Sequence, residues 1–85
     1  SVALAVIGQA LTDLVQPPRN VRDASGEVVR DTRVQEDAAE FLRGDWRLSA
    51  WANAAGVSAE AVTRRAWSEH RRYMSRYVAL VAARQ

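Results

Sequence analysis

Cysteine and lysine are both absent from this chain. Histidine occurs once, at His70, and proline only as the pair Pro17-Pro18. Without cysteine there is neither a disulfide framework nor a thiolate metal site. A single imidazole excludes the usual multi-histidine metal cages. Long apolar runs are missing too: no uncharged stretch is longer than Ser1 to Thr12, which contains Gln9 and falls well short of the roughly 18 apolar residues that span a bilayer. That stretch has no basic flank of the kind that opens a secretory signal. These absences lead us to expect a soluble, cytoplasmic protein without a cofactor or membrane partner, stabilised by helix packing with or without a partner chain.

The rest of the composition, 48% hydrophobic and 26% charged over 85 residues, is that of a single small globular domain spanning 1–85. Its net charge of +2 is unevenly spread. Residues 1–57 hold six arginines against eight acids, giving −2; residues 58–85 hold six arginines against Glu60 and Glu69, giving +4. A basic last third steers a protein towards polyanions. The exclusive use of arginine matches the codon bias of a GC-rich genome, and it also suits bidentate phosphate and base contacts.

Hydrophobic spacing predicts a first helix over Val2 to Val15. Leu4, Ile7, Leu11 and Leu14 form its stripe, widened by Val2, Val6, Ala10 and Val15. A helix so apolar belongs at the centre of the core or in a dimer interface. Pro17-Pro18 ends it. Val21-Arg22 and Val28-Val29-Arg30 flank Asp23-Ala24-Ser25-Gly26, a pattern that reads either as a small hairpin or as an open loop. As a hairpin, its arginines would touch a nucleic-acid backbone as a wing does. Thr32 and Gln35 have capping-box spacing for a second helix running to Arg43, with Gly44 as its stop and Val34, Ala38, Phe41 and Leu42 inside. Asp45 caps a third helix, Trp46 to Ala55, that buries Leu48, Trp51, Ala52 and Ala55. Gly56 breaks it. From Ala59 to about Ala83 nothing interrupts a long fourth helix of about 37 Å. One arc of it carries Val62, Ala66, Trp67, Tyr73, Met74, Tyr77, Val78, Leu80 and Val81, and the opposite arc carries Arg64, Arg65, Arg71, Arg72 and Arg76. The fold class expected is all-α: a small four-helix domain with an extended C-terminal helix and a hairpin or loop between helices 1 and 2.

Trp51-Ala52-Asn53-Ala54-Ala55-Gly56-Val57-Ser58-Ala59-Glu60-Ala61-Val62-Thr63-Arg64 resembles the helix–turn–helix of lac-repressor-type transcription factors, the unit covering about 46–67. The motif asks for a small residue where the helices cross (Ala52), a left-handed glycine (Gly56) and an apolar plug (Val57). It also asks for a cap (Ser58) and a residue packing back (Val62). Arg65 departs from it, standing where a further apolar residue is usual. This implies either a rotated fourth helix or that Ala66 and Trp67 take over that packing. The resemblance implies double-stranded DNA as partner. Ala59, Glu60, Thr63 and Arg64 would face base edges, and Ser58, Arg65, Arg71 and Arg72 would contact phosphates. Arg76 and Arg84 lie too far along the helix to share one groove with them.

A second resemblance is broader. Ala5-Val6-Ile7-Gly8-Gln9-Ala10-Leu11-Thr12-Asp13-Leu14, Ala38-Ala39-Glu40-Phe41-Leu42-Arg43-Gly44-Asp45, Ala55-Gly56-Val57 and Glu60-Ala61-Val62 are similar to segments of small uncharacterised phage and prophage-type proteins. That implies a phage setting and either transcription regulation, with the transcription machinery as a protein partner, or DNA packaging as a small-terminase-like subunit. A homodimer through helix 1 or the C-terminal helix would supply a second half-site. An interaction module that ignores DNA is the alternative from another class. Trp46, Trp51 and Trp67 read as core or helix-junction residues, and His70 as a surface or boundary residue. Asp37 and Glu40 share one helix turn without a base, metal set or phosphate loop, so no catalysis is expected.

Overall fold

The capping and breaking residues set the architecture before any packing is considered. In the structure, a computed structural model, residues 1–83 are described. Helix α1 (Val2–Leu14) starts where the Ser1 hydroxyl accepts the Leu4 N–H at 3.3 Å, and it stops ahead of Pro17-Pro18. Strands β1 (Arg19–Arg22) and β2 (Val28–Asp31) then pair antiparallel. The stretch read as hairpin or loop is thus a hairpin. Its turn is organised by the Asp23 carboxylate, which accepts from the Ser25 hydroxyl, the Ser25 N–H and the Glu27 N–H at 2.6, 2.9 and 3.0 Å. The Ser25 hydroxyl is the main cause holding that carboxyl below its ordinary pKa. Gly26, at φ +86°, closes the turn.

Helix α2 (Arg33–Leu42) has Thr32 at its N-cap, but the capping box does not form. The Thr32 hydroxyl donates to the Glu36 carboxylate at 3.0 Å, and the Gln35 amide donates to the Gln16 carbonyl at 2.8 Å. The carboxylate of Asp31 instead accepts the Arg33 N–H at 3.1 Å and is forked by the Arg33 guanidinium. Four hydrogen bonds to ionised carboxylates, three of them to Asp31, stand in place of the neutral reciprocal pair. For helix α3 (Trp46–Ala55), Asp45 caps as expected, accepting the Arg47 N–H at 2.7 Å. Helix α4 (Ala59–Ala83) is the longest element. Among the described residues there are four helices and one two-stranded hairpin, a mostly helical fold.

Ile7, Leu14, Ala38, Phe41, Leu42, Leu48, Ala52 and Ala66 form one contiguous core, with Leu42 and Leu48 fully enclosed. All four helices touch one another, and α1 packs most extensively against α2 and α3. Arg47 and Arg43 roof the core, each guanidinium 5.7 Å from an aromatic centroid, of Phe41 and Trp67 respectively.

Four expectations about burial are corrected. Leu4 and Val2 are exposed, and Ala3 takes the inward position in line with Ile7 and Leu14. Val34, in the first turn of α2, is exposed. It opens into a polar cleft with Asp13, Gln16, Pro17 and Val21. Trp46, the first residue of α3, is 78% exposed, while Leu48, Ala52 and the half-buried Trp51 face inward. Met74, Tyr77, Val78, Leu80 and Val81 are exposed because α4 outruns the helices that pack against it.

Candidate nucleic-acid interface

The join between α3 and α4 is a tight αL turn. Gly56 adopts φ +74°, ψ +26°, the Val57 N–H donates to the Ala52 carbonyl at 3.0 Å, and the Gly56 N–H donates to the Asn53 carbonyl at 3.2 Å. This paired 6→1 and 5→2 arrangement satisfies the last carbonyls of α3. Ser58 then opens α4, its hydroxyl accepting the Ala61 N–H at 3.2 Å and its carbonyl the Val62 N–H at 3.0 Å. Val57, read as the plug between the helices, is exposed instead. Its peptide is committed to closing α3, and Ala52, Ala55, Ala59 and Val62 fill the angle.

The departure at Arg65 is resolved in favour of its neighbours. Ala66 is fully buried, Trp67 packs on the core, and the Arg65 side chain is exposed. Helix α4 thus meets the bundle along Ala59, Val62, Ala66 and Trp67, and Arg64, Arg65, Arg71, Arg72 and Arg76 are all exposed. At about 100° per residue, Arg64, Arg71, Arg72, Arg65 and Arg76 span the side of α4 turned from the core. Glu60 pairs with Arg64 at 3.5 Å and Glu69 with Arg72 at 3.9 Å, both in solvent. Such pairs hold their partners weakly, so neither arginine is committed. Arg65, Arg71 and Arg76 have no ion pair among the described residues.

No family model, characterised protein or solved structure matches this chain. What it can do therefore rests on its own geometry.

The residues expected at base edges do not form one exposed set. Glu60 and Arg64 are exposed and paired with each other, whereas Ala59 and Thr63 are half-buried. Of the expected phosphate contacts, Ser58, Arg65, Arg71 and Arg72 are all exposed. Arg76, set aside on length, joins Arg71 and Arg72 around a shallow depression floored by Ser68 and Ser75. The two serines were overlooked in the sequence. Their seven-residue spacing, with arginines three residues after Ser68 and one after Ser75, was the available signal. Arg84 lies outside the described residues. The hairpin does not extend this surface: Arg30 of β2 lies near His70, Tyr73, Met74 and Tyr77, on the apolar side of α4. Trp67 and His70 meet edge to face at 5.4 Å, which places His70 at the boundary of the core. No described helix is long and apolar enough to cross a membrane.

Proposed function

We propose that this chain binds duplex DNA through the α3–α4 unit, as a sequence-specific transcription regulator of phage or phage-derived genes with no chemistry of its own. The observation that carries the reading is a Ser58-capped helix, set at a fixed angle by the Gly56 turn, whose outer side is lined with uncommitted arginines. The first turn of α4 enters the major groove. There Arg64 makes the bidentate contact to guanine and Glu60 accepts from cytosine, once their mutual 3.5 Å pair opens. Ala59 and Thr63, half-buried, set how closely the helix approaches. The Ser58 O–H and the guanidinium groups of Arg65, Arg71 and Arg72 donate to phosphates and fix the register.

Fluorescence-anisotropy titration of duplex DNA at two salt concentrations tests this. Three arginine–phosphate contacts give a salt slope of about −2.7, so affinity falls about 40-fold between 50 and 200 mM salt. Removing Arg71 and Arg72 flattens that slope by about 2. Absence of binding at low salt, or binding indifferent to Arg64→Ala combined with Arg65→Ala, would refute the proposal. The exposed apolar end of α4 favours a second reading, an assembling subunit of the packaging type. Light scattering that finds a large ring would favour it over a regulator.

A further inference from the structure

We infer that a second copy of this chain covers the C-terminal half of α4, the two helices packing stripe to stripe about a two-fold axis. The stripe comprises Met74, Tyr77, Val78, Leu80 and Val81, which are 39–61% exposed. At roughly 180 Å² for a side chain of this size, they leave about 400 Å² of apolar surface in contact with water on each copy. A patch that large marks an interaction site rather than scattered surface residues.

Its shape selects the occupant. Tyr73, Met74 and Tyr77 form one wall of a groove of about 240 Å³, and Leu14, Pro18, Gln16, Gln35 and Arg30 face them across it. A groove of that volume admits a few side chains of a helix lying along α4, whereas a bilayer surface would lie across it. The stripe itself carries no charge: Arg72 and Arg76 stand on the far side of α4, and the nearest charges, Arg71 beside Val78 and Arg30 at the groove, border the seam. Pairing two stripes buries about 800 Å², and the groove walls bring the total near 1,000 Å², the lower edge of specific interfaces. An interface at that edge is of the weak, reversible class. An isologous contact uses the same surface on both copies and closes on itself.

Cover also explains the helix. The ten residues from Met74 to Ala83 extend beyond the last core contact of α4 at Trp67, and a partner along them would hold turns that are otherwise free to fray. The two arginine faces point outward from such a seam, so the inference stands whether or not DNA is bound.

Sedimentation equilibrium of the full chain without DNA is the test. The wild type shifts from 9.4 kDa to twice that mass across the micromolar range. Leu80→Asp combined with Val81→Asp weakens association at least about 100-fold, since it places charges in a desolvated seam, and leaves far-UV circular dichroism of the monomer unchanged. The cysteine-free background permits a second test. Val81→Cys is trapped as a dimer by a short bis-maleimide, and Ser68→Cys, on the arginine side, is not. A wild type that stays monomeric, a dimer that survives the double aspartate variant, or an open-ended series of higher masses would each overturn the inference. So would a monomer whose stripe inserts into anionic vesicles. Arg71→Ala with Arg72→Ala separates this from the DNA reading, because it weakens DNA binding and leaves the dimer intact.

Discussion

Gly8 and Gly56 offer the same substitution in equally open space, with opposite consequences. A Cβ built on either would meet nothing within 4 Å, so packing contributes to neither outcome. Gly8 lies inside α1 with helical geometry, where alanine gains about 0.5–1 kcal/mol through lost freedom in the unfolded chain. Gly56 sits at φ +74°, where an L-residue is strained by about 1–2 kcal/mol. The unfolded-state gain of alanine offsets part of that, leaving a net loss of about 1 kcal/mol. For a domain of this size 1 kcal/mol moves Tm by roughly 4–8 °C. Gly8→Ala therefore melts higher and Gly56→Ala lower, with a gap between them of roughly 10 °C by far-UV circular dichroism. Gly56→Asn falls between wild type and Gly56→Ala, because asparagine tolerates the left-handed region. Shifts of the same sign, or a Gly56→Ala protein as stable as wild type, would refute the account of the turn on which the placement of α4 depends.

Other expectations follow from single groups. The Arg33 guanidinium, with help from the Arg33 N–H and the field of Arg19, holds Asp31 down to a pKa of about 2. Its folded value lies below its unfolded one, so its contribution to stability is present above about pH 4 and lost as pH falls towards 2. An NMR titration of the Asp31 carboxyl gives a midpoint near 2, and Arg33→Ala moves it up towards 3.8. Leu48→Ala empties a fully enclosed site and costs about 2–5 kcal/mol in urea unfolding, whereas the exposed Leu4→Ala costs under about 1 kcal/mol. Ser58→Ala removes the cap of α4 and costs about 1 kcal/mol. Ser58→Asp keeps the cap but sets a negative charge against phosphate, so stability holds while affinity for duplex DNA falls at least about tenfold.

Local signals were legible wherever one residue settled the outcome. Pro17-Pro18, Asp45, Gly56 and Ser58 each act on their own backbone, and the helices begin and end where they require. The hairpin was half legible: its Asp-Ala-Ser-Gly turn was visible, but not that one Asp23 carboxylate would accept three hydrogen bonds. Burial was less legible because it depends on how far neighbouring helices reach. Val34 and the stripe from Met74 onward have the right spacing for a core, and Trp46 opens a helix that packs on it, yet all are exposed, because spacing names a face of a helix and not how much of that face a neighbour covers. At the candidate interface, Arg65 announced that the packing register differs from the resembled motif. Its exposure beside the buried Ala66 gives the direction of that difference.

One helix anchored at a single end also behaves as a gauge. The amides near Ala66 can exchange their hydrogens only when the core opens, whereas those towards Ala83 need only the helix to fray. In an isolated chain, protection therefore declines turn by turn along α4. Any molecule that grips the far turns levels that slope while leaving the rest of the domain unchanged, so the helix registers residue by residue how much of itself is in use.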